Sequence, residues 1–259
     1  MPTSLSLSNQ FAYRPSSSTT AALCAILSHI SDLLVDHPHV FFITFDYSKA
    51  FDTLRHTSVA SKLSLLDIPY CIYNWILDYL SNRTHRTSFL GKLSEPATIT
   101  ASIVQGSVLG PTLFNLNSGD LSPISAHNCY FKYADDAYLI VPASNVSSIP
   151  DELAHHSSWA AQCNLKLNQA KTAEIVFTRK GQKPPILNPG VTRSDSIKIL
   201  GVTFDSRLNF SEHLDSVVTK CSQSLFALRL MRQHGMPQHT LETVFKATTT
   251  SKLLYASPP

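Results

Sequence analysis

The chain has 259 residues, of which 43% are hydrophobic and 15% are charged, and its formal net charge is +3. This length can bury one large hydrophobic core or two modest ones, as a globular protein requires. The small positive charge does not by itself indicate nucleic-acid binding, so any electropositive groove depends on where the 21 Lys and Arg residues lie.

The first half of the chain is predicted to place an acidic residue at the end of a buried strand. Apolar residues at three- and four-residue spacing predict a helix over 18–34 that ends before Pro38. Val40–Phe45 is a continuous apolar, β-branched and aromatic run, typical of a central strand, and it delivers Asp46 at its C-terminal end. The elements predicted next are helices over 57–66 and 69–80 and strands over 86–90 and 97–104.

Two strands joined by an acidic turn are the main feature of the second half. Cys129–Tyr133 and Ala137–Val141 predict a strand pair with Asp135 and Asp136 between them. The remaining predicted elements are a helix over 150–163, strands over 174–178 and 197–204, and helices over 211–232 and 240–255. Helices and strands that mix without strict alternation favour an α+β fold over a doubly wound sheet. The Gly- and Pro-containing stretch at 181–189 is predicted to be a loop and is the candidate domain boundary.

Other chemically notable residues carry no function by themselves. Trp75 and Trp159 fit the core faces of their helices better than a base-stacking surface. His155 and His156 lack partners at metal-binding spacing and are predicted to be exposed. The five cysteines show no zinc spacing and imply no disulfide framework, which fits an intracellular protein in the nucleus or cytoplasm. We find no signal peptide and no apolar run near the ~18 residues of a membrane span, so no membrane partner is expected.

The three aspartates at strand ends are candidate metal ligands. If Asp46, Asp135 and Asp136 converge, their charges repel unless cations lie between them. Mg²⁺ suits such a site because it prefers oxygen ligands and keeps positions for water and substrate phosphates. Two such ions about 4 Å apart can activate an attacking hydroxyl and stabilise a leaving oxygen. An Asp-Asp pair taken alone is more typical of ordinary turn chemistry.

The motifs around these aspartates resemble those of reverse transcriptases. The matching segments are Gln10–Thr19 for a fingers motif, Asp46–Asp52, Gln105–Pro111, Tyr133–Asp136 and Trp159–Thr172 for the first four catalytic motifs, and Leu200–His213 for the primer grip. The fingers motif resembles that of retrotransposons without long terminal repeats, of a Jockey-like kind. The likeness extends over about residues 8–255, in the usual order and spacing.

The resemblance implies a right-hand polymerase that is truncated at both ends. It implies partial fingers at 1–39, a palm with finger insertions at 40–209, and C-terminal helices that form a short thumb remnant at 210–259. Two segments depart from the family pattern. Val104 stands where the family usually has proline, and the stretch 115–121 differs from the usual apolar helix, as in a decaying element.

The resemblance also implies roles for individual residues. The implied catalytic residues are Asp46, Asp135, Asp136 and Lys171; the implied metal ligands are the three aspartates and the carbonyl of Tyr47; the implied nucleotide contacts are Arg14, Tyr47, Phe51, Gln105 and Gly106. Phe51 would exclude a 2′-hydroxyl, with a plain core phenylalanine as the alternative. Arg14 would contact a phosphate, with a solvated arginine as the alternative. Lys171 would protonate or neutralise departing pyrophosphate.

The implied function is RNA-directed DNA synthesis for a retrotransposon. Its cofactor would be two Mg²⁺ ions, with Mn²⁺ as a substitute, and its partners would be an RNA template, a DNA primer and dNTPs. The alternative is a catalytically inactive remnant that at most binds nucleic acid. Val104, the altered 115–121 stretch and both shortened ends favour the alternative, whereas the intact aspartates favour the enzyme.

Overall fold

The computed structural model describes residues 7, 9–104, 106–182, 185 and 191–256. Its helices are α1 (Thr19–Asp36), α2 (Ala50–Thr53), α3 (His56–Leu63), α4 (Tyr70–Leu80), α5 (Leu109–Ser118), α6 (Ile149–Gln162), α7 (Ser211–Gln233), α8 (Gln238–Phe245) and α9 (Ser251–Leu254). A 3₁₀ segment at Ala143–Ser148 precedes α6, and a π-helical segment at Lys246–Thr250 joins α8 to α9.

The strands form one five-stranded sheet and four two-stranded pairs. They are β1 (His39–Phe45), β2 (Tyr47–Ser48), β3 (Thr84–His85), β4 (Ser88–Phe89), β5 (Lys92–Leu93), β6 (Ala97–Thr98), β7 (Cys129–Tyr133), β8 (Asp136–Pro142), β9 (Lys166–Leu167), β10 (Ala173–Thr178), β11 (Thr192–Arg193), β12 (Ser196–Ile199) and β13 (Val202–Asp205). The large sheet has the order β11-β10-β1-β8-β7, and the pairs are β12-β13, β2-β9, β3-β6 and β4-β5.

Strand β1 lies at the centre of the sheet because its side chains are apolar on both faces. Val40, Phe41, Phe42 and Ile43 are each at most 1% exposed. A strand that is buried on both faces has a continuous run of hydrophobic residues, and β1 was predicted from such a run. The prediction of a central strand that ends at Asp46 is therefore confirmed, as is the α+β composition.

The described residues fall into two compact units. One comprises those within Met1–Ser17, Phe41–Glu174 and Asn188–Thr192; the other comprises those within Ser18–Val40, Ile175–Leu187 and Arg193–Pro259. The first unit has a core of helix and strand side chains that includes Leu54, Leu63, Leu113, Phe114, Leu139, Ile140 and Ile149. In the second unit α7 packs with the hairpin β12-β13 and with α8. The division into fingers, palm and thumb stays a prediction.

Several predicted elements are confirmed and others need correction. Helix α1 begins where predicted, since the Ser18 hydroxyl accepts a hydrogen bond from the amide of Ala21 at 3.1 Å and caps the helix. The predicted strand over 197–204 is instead the hairpin β12-β13, because Leu200 and Gly201 adopt φ of +45° and +88° and reverse the chain. The predicted strands over 86–90 and 97–104 shrink to the short β4 and β6, and the last predicted helix is divided into α8, the π segment and α9.

Two predictions from single residues were wrong. Trp75 is 58% exposed and does not belong to the core, whereas Trp159 is 7% exposed, as predicted. His156 is fully buried, whereas it was expected to be exposed. Among the described helices α1 alone is long and apolar enough to cross a membrane, by length and composition only. Core helices meet the same criteria, and α1 buries Leu23, Ile26 and Ile30.

Candidate active site

Asp46 is held by the segment that follows α6. Its carbonyl oxygen accepts a hydrogen bond from the backbone amide of Asn168 at 2.8 Å, and the Asn168 side-chain Nδ2 donates to Asp46 Oδ2 at 3.1 Å. The adjoining antiparallel pair β2-β9 sets Tyr47 opposite Leu167. The Lys171 ammonium lies 3.6 Å from the same Oδ2, with 68% of its side chain exposed, so this ion pair adds little stability. Backbone and side-chain bonds from Asn168 therefore fix the direction of the Asp46 carboxylate.

Asp135 and Asp136 lie at the turn between β7 and β8. Tyr133 pairs with Asp136 across the antiparallel hairpin, so that only Ala134 and Asp135 form its tip. Ala134 adopts φ of +54°, a left-handed conformation that interrupts the alternation of strand side chains. Asp135 thus sits in the tight turn that the sequence predicted, and Asp136 is the first residue of β8 beside it.

Gln10 supports this turn from an N-terminal segment that runs beside β7. Its side chain is 1% exposed, and its Oε1 accepts hydrogen bonds from the amides of Ala134 at 3.1 Å and Ala12 at 3.0 Å. The flanking backbone is joined to Lys132 by two hydrogen bonds of 2.8 and 2.9 Å. Gln10 was predicted only as part of a motif. Its support of the aspartate turn depends on a contact across 124 residues, which no local pattern reveals.

The three carboxylates influence one another electrostatically. The pKa of Asp136 is raised to about 6, first by burial, then by the charge of Asp135 and, more weakly, that of Asp46; a hydrogen bond with Tyr138 opposes the rise. Burial raises the pKa of Asp135, and the charge of Asp46 adds to the rise. Negative charges that lie close together in a half-buried site destabilise the fold unless a cation neutralises them.

The donor chemistry of this cluster fits Mg²⁺ bound only in part by protein. Carboxylates and a backbone carbonyl are the oxygen ligands that Mg²⁺ prefers. Among the residues that the structure describes, no group of three or more His, Cys, Asp or Glu side chains is arranged to hold a metal ion alone. Mg²⁺ commonly takes one or two carboxylates and completes its shell with water and substrate phosphates.

Tyr47 belongs to a buried cluster of aromatic side chains that surrounds His156. The Tyr47 hydroxyl lies 2.8 Å from Nε2 of His156, and the Tyr130 hydroxyl lies 3.0 Å from Nδ1. The imidazole stacks on Phe45, with ring centroids 3.6 Å apart and planes 9° apart. Burial lowers the pKa of His156 to about 3, so the ring is neutral and donates one hydrogen bond while accepting the other. His156 lies three residues before Trp159, on the same face of α6, and this spacing was the one feature of the sequence that indicated its burial.

Phe51 forms part of the wall of a cavity in the same unit. The cavity has a volume of about 460 Å³ and is lined by Tyr13, Phe51, Ile103, Val104, Gly106, Ser107, Val108, Gly110 and Pro111. The Phe51 ring also stacks on Phe114, with centroids 4.7 Å apart. Gly106 adopts φ of +80°, which favours glycine at that position. Phe51 therefore has both a core contact and an open side, and Gln105 lies outside the described residues.

Arg14 is bound to the backbone of its own segment. One guanidinium nitrogen, Nη1, donates to the carbonyl of Gln10 at 3.0 Å and to the carbonyl of Leu7. These bonds orient the side chain, which is otherwise exposed. A phosphate contact from Arg14 stays a prediction.

The altered stretch 115–121 forms an ordered helix end with partners on several elements. Asn115 Nδ2 donates to the carbonyl of Ala12 at 2.8 Å, and Asn117 Oδ1 accepts from Ser58 at 2.9 Å. Asp120 Oδ1 accepts from Lys62 Nζ at 2.7 Å and from the Trp159 indole at 2.9 Å. The other amide atoms, Asn115 Oδ1 and Asn117 Nδ2, are buried without a hydrogen-bond partner among the described residues, which costs stability.

Comparison with known proteins identifies the same likeness over most of the chain. Residues 3–204 match the family model described as Reverse transcriptase (RNA-dependent DNA polymerase). In Drosophila melanogaster, the probable RNA-directed DNA polymerase from transposon BS is 29% identical over 238 residues, covering 85% of this chain and 26% of its own length. The RNA-directed DNA polymerase from mobile element jockey of the same organism is 27% identical over 222 residues, covering 80% of this chain and 24% of its own length. The chain spans about a quarter of the length of these curated relatives.

Solved telomerase structures share the fold. Apo telomerase from Candida tropicalis aligns with a TM-score of 0.56 at 15% identity, over 78% of this chain and 36% of that one. Telomerase of the same organism in complex with a fragment of telomeric RNA aligns with a TM-score of 0.58 at 14% identity, over 96% and 43%. Similarity at this level of identity supports the overall fold alone.

Proposed function

The chain belongs to the reverse transcriptase family, and we propose that it performs RNA-directed DNA synthesis as the polymerase part of a retrotransposon without long terminal repeats. The observation that carries the proposal is the electrostatic influence of Asp46 on Asp135 and Asp136. Asn168 orients the Asp46 carboxylate, and the buried Gln10 supports the turn that carries Asp135. A polymerase needs such a cluster, because catalysis of nucleotidyl transfer is mainly positioning and charge stabilisation.

The carboxylates supply the ligands for the cofactor in this proposal. Two Mg²⁺ ions, with Mn²⁺ as a substitute, would activate the primer 3′-hydroxyl and stabilise the leaving oxygen of pyrophosphate. Asp46 and Asp135 would each contact both ions, and Asp136 and the Tyr47 carbonyl would assist. Asn168 holds Oδ2 of Asp46 and so limits its rotation. Orientation of metal ligands by neighbouring hydrogen bonds supports both affinity and geometry.

Residues around the cluster would position the nucleotide and the leaving group. Phe51, at the cavity wall, would lie against the sugar and exclude a 2′-hydroxyl. Gly106 would let its backbone approach the nucleotide closely, and Gln105 would contact it. Lys171, whose flexible side chain is 68% exposed, would neutralise or protonate pyrophosphate. Arg14 would contact a phosphate.

The RNA template and DNA primer would be recognised by shape and backbone, because base pairing supplies the sequence information. The division into partial fingers at 1–39, palm at 40–209 and thumb remnant at 210–259 belongs to the same proposal. So does a location in the nucleus or cytoplasm. The telomerase likeness supports a polymerase fold without defining these parts.

A primer-extension assay tests the proposal. The purified chain is incubated with a primed RNA template, dNTPs and Mg²⁺, beside Asp135→Ala and the matched surface control Asp67→Ala. We expect extension by the wild type and by the Asp67 variant, and none by the Asp135 variant. Absence of extension by folded wild-type protein would refute the activity.

Sugar selection gives a second test. Phe51→Val should increase incorporation of ribonucleotides, because the smaller side chain leaves room for a 2′-hydroxyl. Phe89→Val, which alters a ring 74% exposed on the β4-β5 hairpin, is the control. Unchanged discrimination in the Phe51 variant would mean that this residue has only its stacking role with Phe114.

An inactive remnant that binds nucleic acid is the second candidate function. Two observations favour it: Val104 replaces the usual proline, and two buried amide atoms of α5 lack hydrogen-bond partners among the described residues. The extension assay separates the two functions when it is paired with a binding measurement on the same primed template. Binding without extension supports the remnant.

A further inference from the structure

Helix α4 presents a row of stacked planar groups to solvent. Trp75 and Tyr79 are four residues apart on α4 and so lie on one side of the helix. Arg83 lies beyond the end of the helix and reaches back to it, since its Nε donates to the carbonyl of Tyr79. The Trp75 and Tyr79 rings stack with centroids 6.0 Å apart and planes 22° apart. The Arg83 guanidinium lies 4.4 Å from the Tyr79 ring centroid. We call these three residues the α4 ladder.

The ladder is not required for the hydrophobic core. Helix α4 buries Ile76 and Leu80, each 6% exposed, whereas Trp75 is 58% exposed. An indole left in water gives up the large stabilisation that its burial would provide. The neighbouring Ile72, three residues before Trp75 on the same side of α4, is also exposed, at 47%. Contiguous exposed apolar surface of this kind typically marks a binding surface.

The chain that follows the ladder adds positive charge and another aromatic ring. Residues 84–98 are all exposed and form the short pairs β3-β6 and β4-β5. Between 82 and 93 the sequence has Arg83, Arg86 and Lys92 but no Asp or Glu. Phe89 on the β4-β5 hairpin is 74% exposed. Within a chain whose net charge is only +3, this segment concentrates cations beside exposed rings.

We propose that the α4 ladder, with the cations of residues 83–92, is a stacking platform for unpaired nucleotides of a single-stranded nucleic acid. The exposed indole offers a flat face on which a base can stack, and the cations offset backbone phosphates. The Arg83 guanidinium extends the stack, since it is planar and attracted to aromatic faces. Charge complementarity and ring geometry favour this occupant over a protein. The surface shares no residue with the carboxylate cluster, and stacking on it does not require polymerase activity.

The two tryptophans of the chain allow a direct test. Trp159 is 7% exposed and its indole donates to Asp120, so Trp75 supplies the fluorescence that a ligand can quench. The full chain is titrated in EDTA with oligo(U) and oligo(dT) 15-mers, with an abasic strand of the same length, and with a duplex. We expect the two base-bearing single strands to quench Trp75 fluorescence strongly, and the abasic strand and duplex to quench it weakly.

Variants identify the stacking contribution. Binding of labelled strands is followed by anisotropy for Trp75→Ala, Trp75→Phe and the control Tyr70→Ala, which alters an exposed ring of the same helix outside the ladder. Loss of one stacked base weakens binding roughly 5- to 150-fold. Trp75→Ala should show this loss for oligo(U) or oligo(dT) and no change for the abasic strand. Trp75→Phe should restore most of the affinity, and Tyr70→Ala should leave it unchanged.

Several outcomes would overturn the proposal. Equal quenching by base-bearing and abasic strands would mean that only charge attracts the strand. Unchanged affinity in Trp75→Ala would exclude a stacking role. A change of sedimentation from dimer to monomer in Trp75→Ala, without a change in oligonucleotide affinity, would assign the surface to a second copy of the chain. Because these experiments are done in EDTA, Asp135→Ala should bind as the wild type does. Failure of primer extension therefore leaves the stacking result intact.

Discussion

Replacement of Asp136 by asparagine should stabilise the folded chain at pH 8 while weakening its response to Mg²⁺. Asparagine keeps the shape of the side chain and removes its charge. The charge is unfavourable in the fold because the carboxylate is half-buried and lies near Asp135 and Asp46. If the cluster binds cations, the substitution should raise the stability of the metal-free protein and reduce the stabilisation that Mg²⁺ provides.

The size of the effect follows from the shifted pKa. The pKa of Asp136 rises from 3.8 to about 6, and each unit corresponds to about 1.36 kcal/mol, which gives an upper bound of about 3 kcal/mol. Solvent screening of a half-buried group reduces this to about 1–2 kcal/mol. The sign is that of a carboxyl group whose folded pKa is raised. The penalty is absent below pH 3.8, grows as pH rises to about 6, and is complete above that value.

Thermal unfolding with and without Mg²⁺ measures both effects. In EDTA at pH 8, we expect the melting temperature of Asp136→Asn to exceed that of the wild type by about 2–8 °C, for a chain of this size. At pH 4 the difference should become small. Mg²⁺ at ten times its dissociation constant should stabilise the wild type by about 1.4 kcal/mol, and the variant by less. Asp67→Asn, on the exposed surface, is the matched control for loss of one negative charge.

Two results would refute this reasoning. If Asp136→Asn is less stable than the wild type at pH 8 in EDTA, its carboxylate makes a favourable contact that outweighs burial and repulsion. If Mg²⁺ stabilises the variant and the wild type equally, Asp136 does not contribute to cation binding.

Three further substitutions test the residues that hold the cluster in place. Gln10→Ala should cost about 1–3 kcal/mol in denaturant unfolding, because it leaves buried amides unpaired, and should slow primer extension by disordering the turn that carries Asp135. His156→Phe should cost on the order of 2–4 kcal/mol, since two buried tyrosine hydroxyls lose their partner. Because the pKa of His156 is lowered from 6.5 to about 3 in the fold, the wild type loses stability as pH falls through 6.5, whereas the phenylalanine variant does not. The loss should therefore be about 1 kcal/mol smaller at pH 6 than at pH 8, and an equal loss at the two pH values would contradict a neutral imidazole. Asn168→Ala should reduce Mg²⁺ affinity roughly 10-fold by freeing Asp46, as measured from the Mg²⁺-dependent shift in melting temperature; an unchanged affinity would exclude this positioning role.

Local sequence patterns were sufficient where the physical cause is local. The buried strand before Asp46 is a run of apolar residues, and α1 begins at a serine that caps it. The turn with Asp135 and Asp136 follows from two apolar strands with an acidic interval. The ordered motifs also identified the family, which the match over residues 3–204 confirms.

Local sequence patterns gave wrong predictions where the burial of a residue depends on contacts with a distant segment of the chain. Trp75 lies on a helix with apolar residues on more than one side, so periodicity alone did not decide which side is buried. His156 is polar, and only the hydroxyls of Tyr47 and Tyr130 make its burial acceptable. The hairpin β12-β13 was predicted as one strand because Gly201 was not recognised as its turn.

The sequence by itself determined that this chain belongs to the reverse transcriptase family and carries three aspartates at strand ends. That much is encoded in residue order and spacing, which are properties of short segments. The tertiary structure decided what supports those aspartates and what remains exposed. Gln10 binds Ala134, next to Asp135, across 124 residues, Asn168 binds Asp46 across 122, and Trp75 of the α4 ladder is exposed. Such contacts depend on which surfaces the fold brings together, since burial and electrostatic coupling arise between segments and not within them.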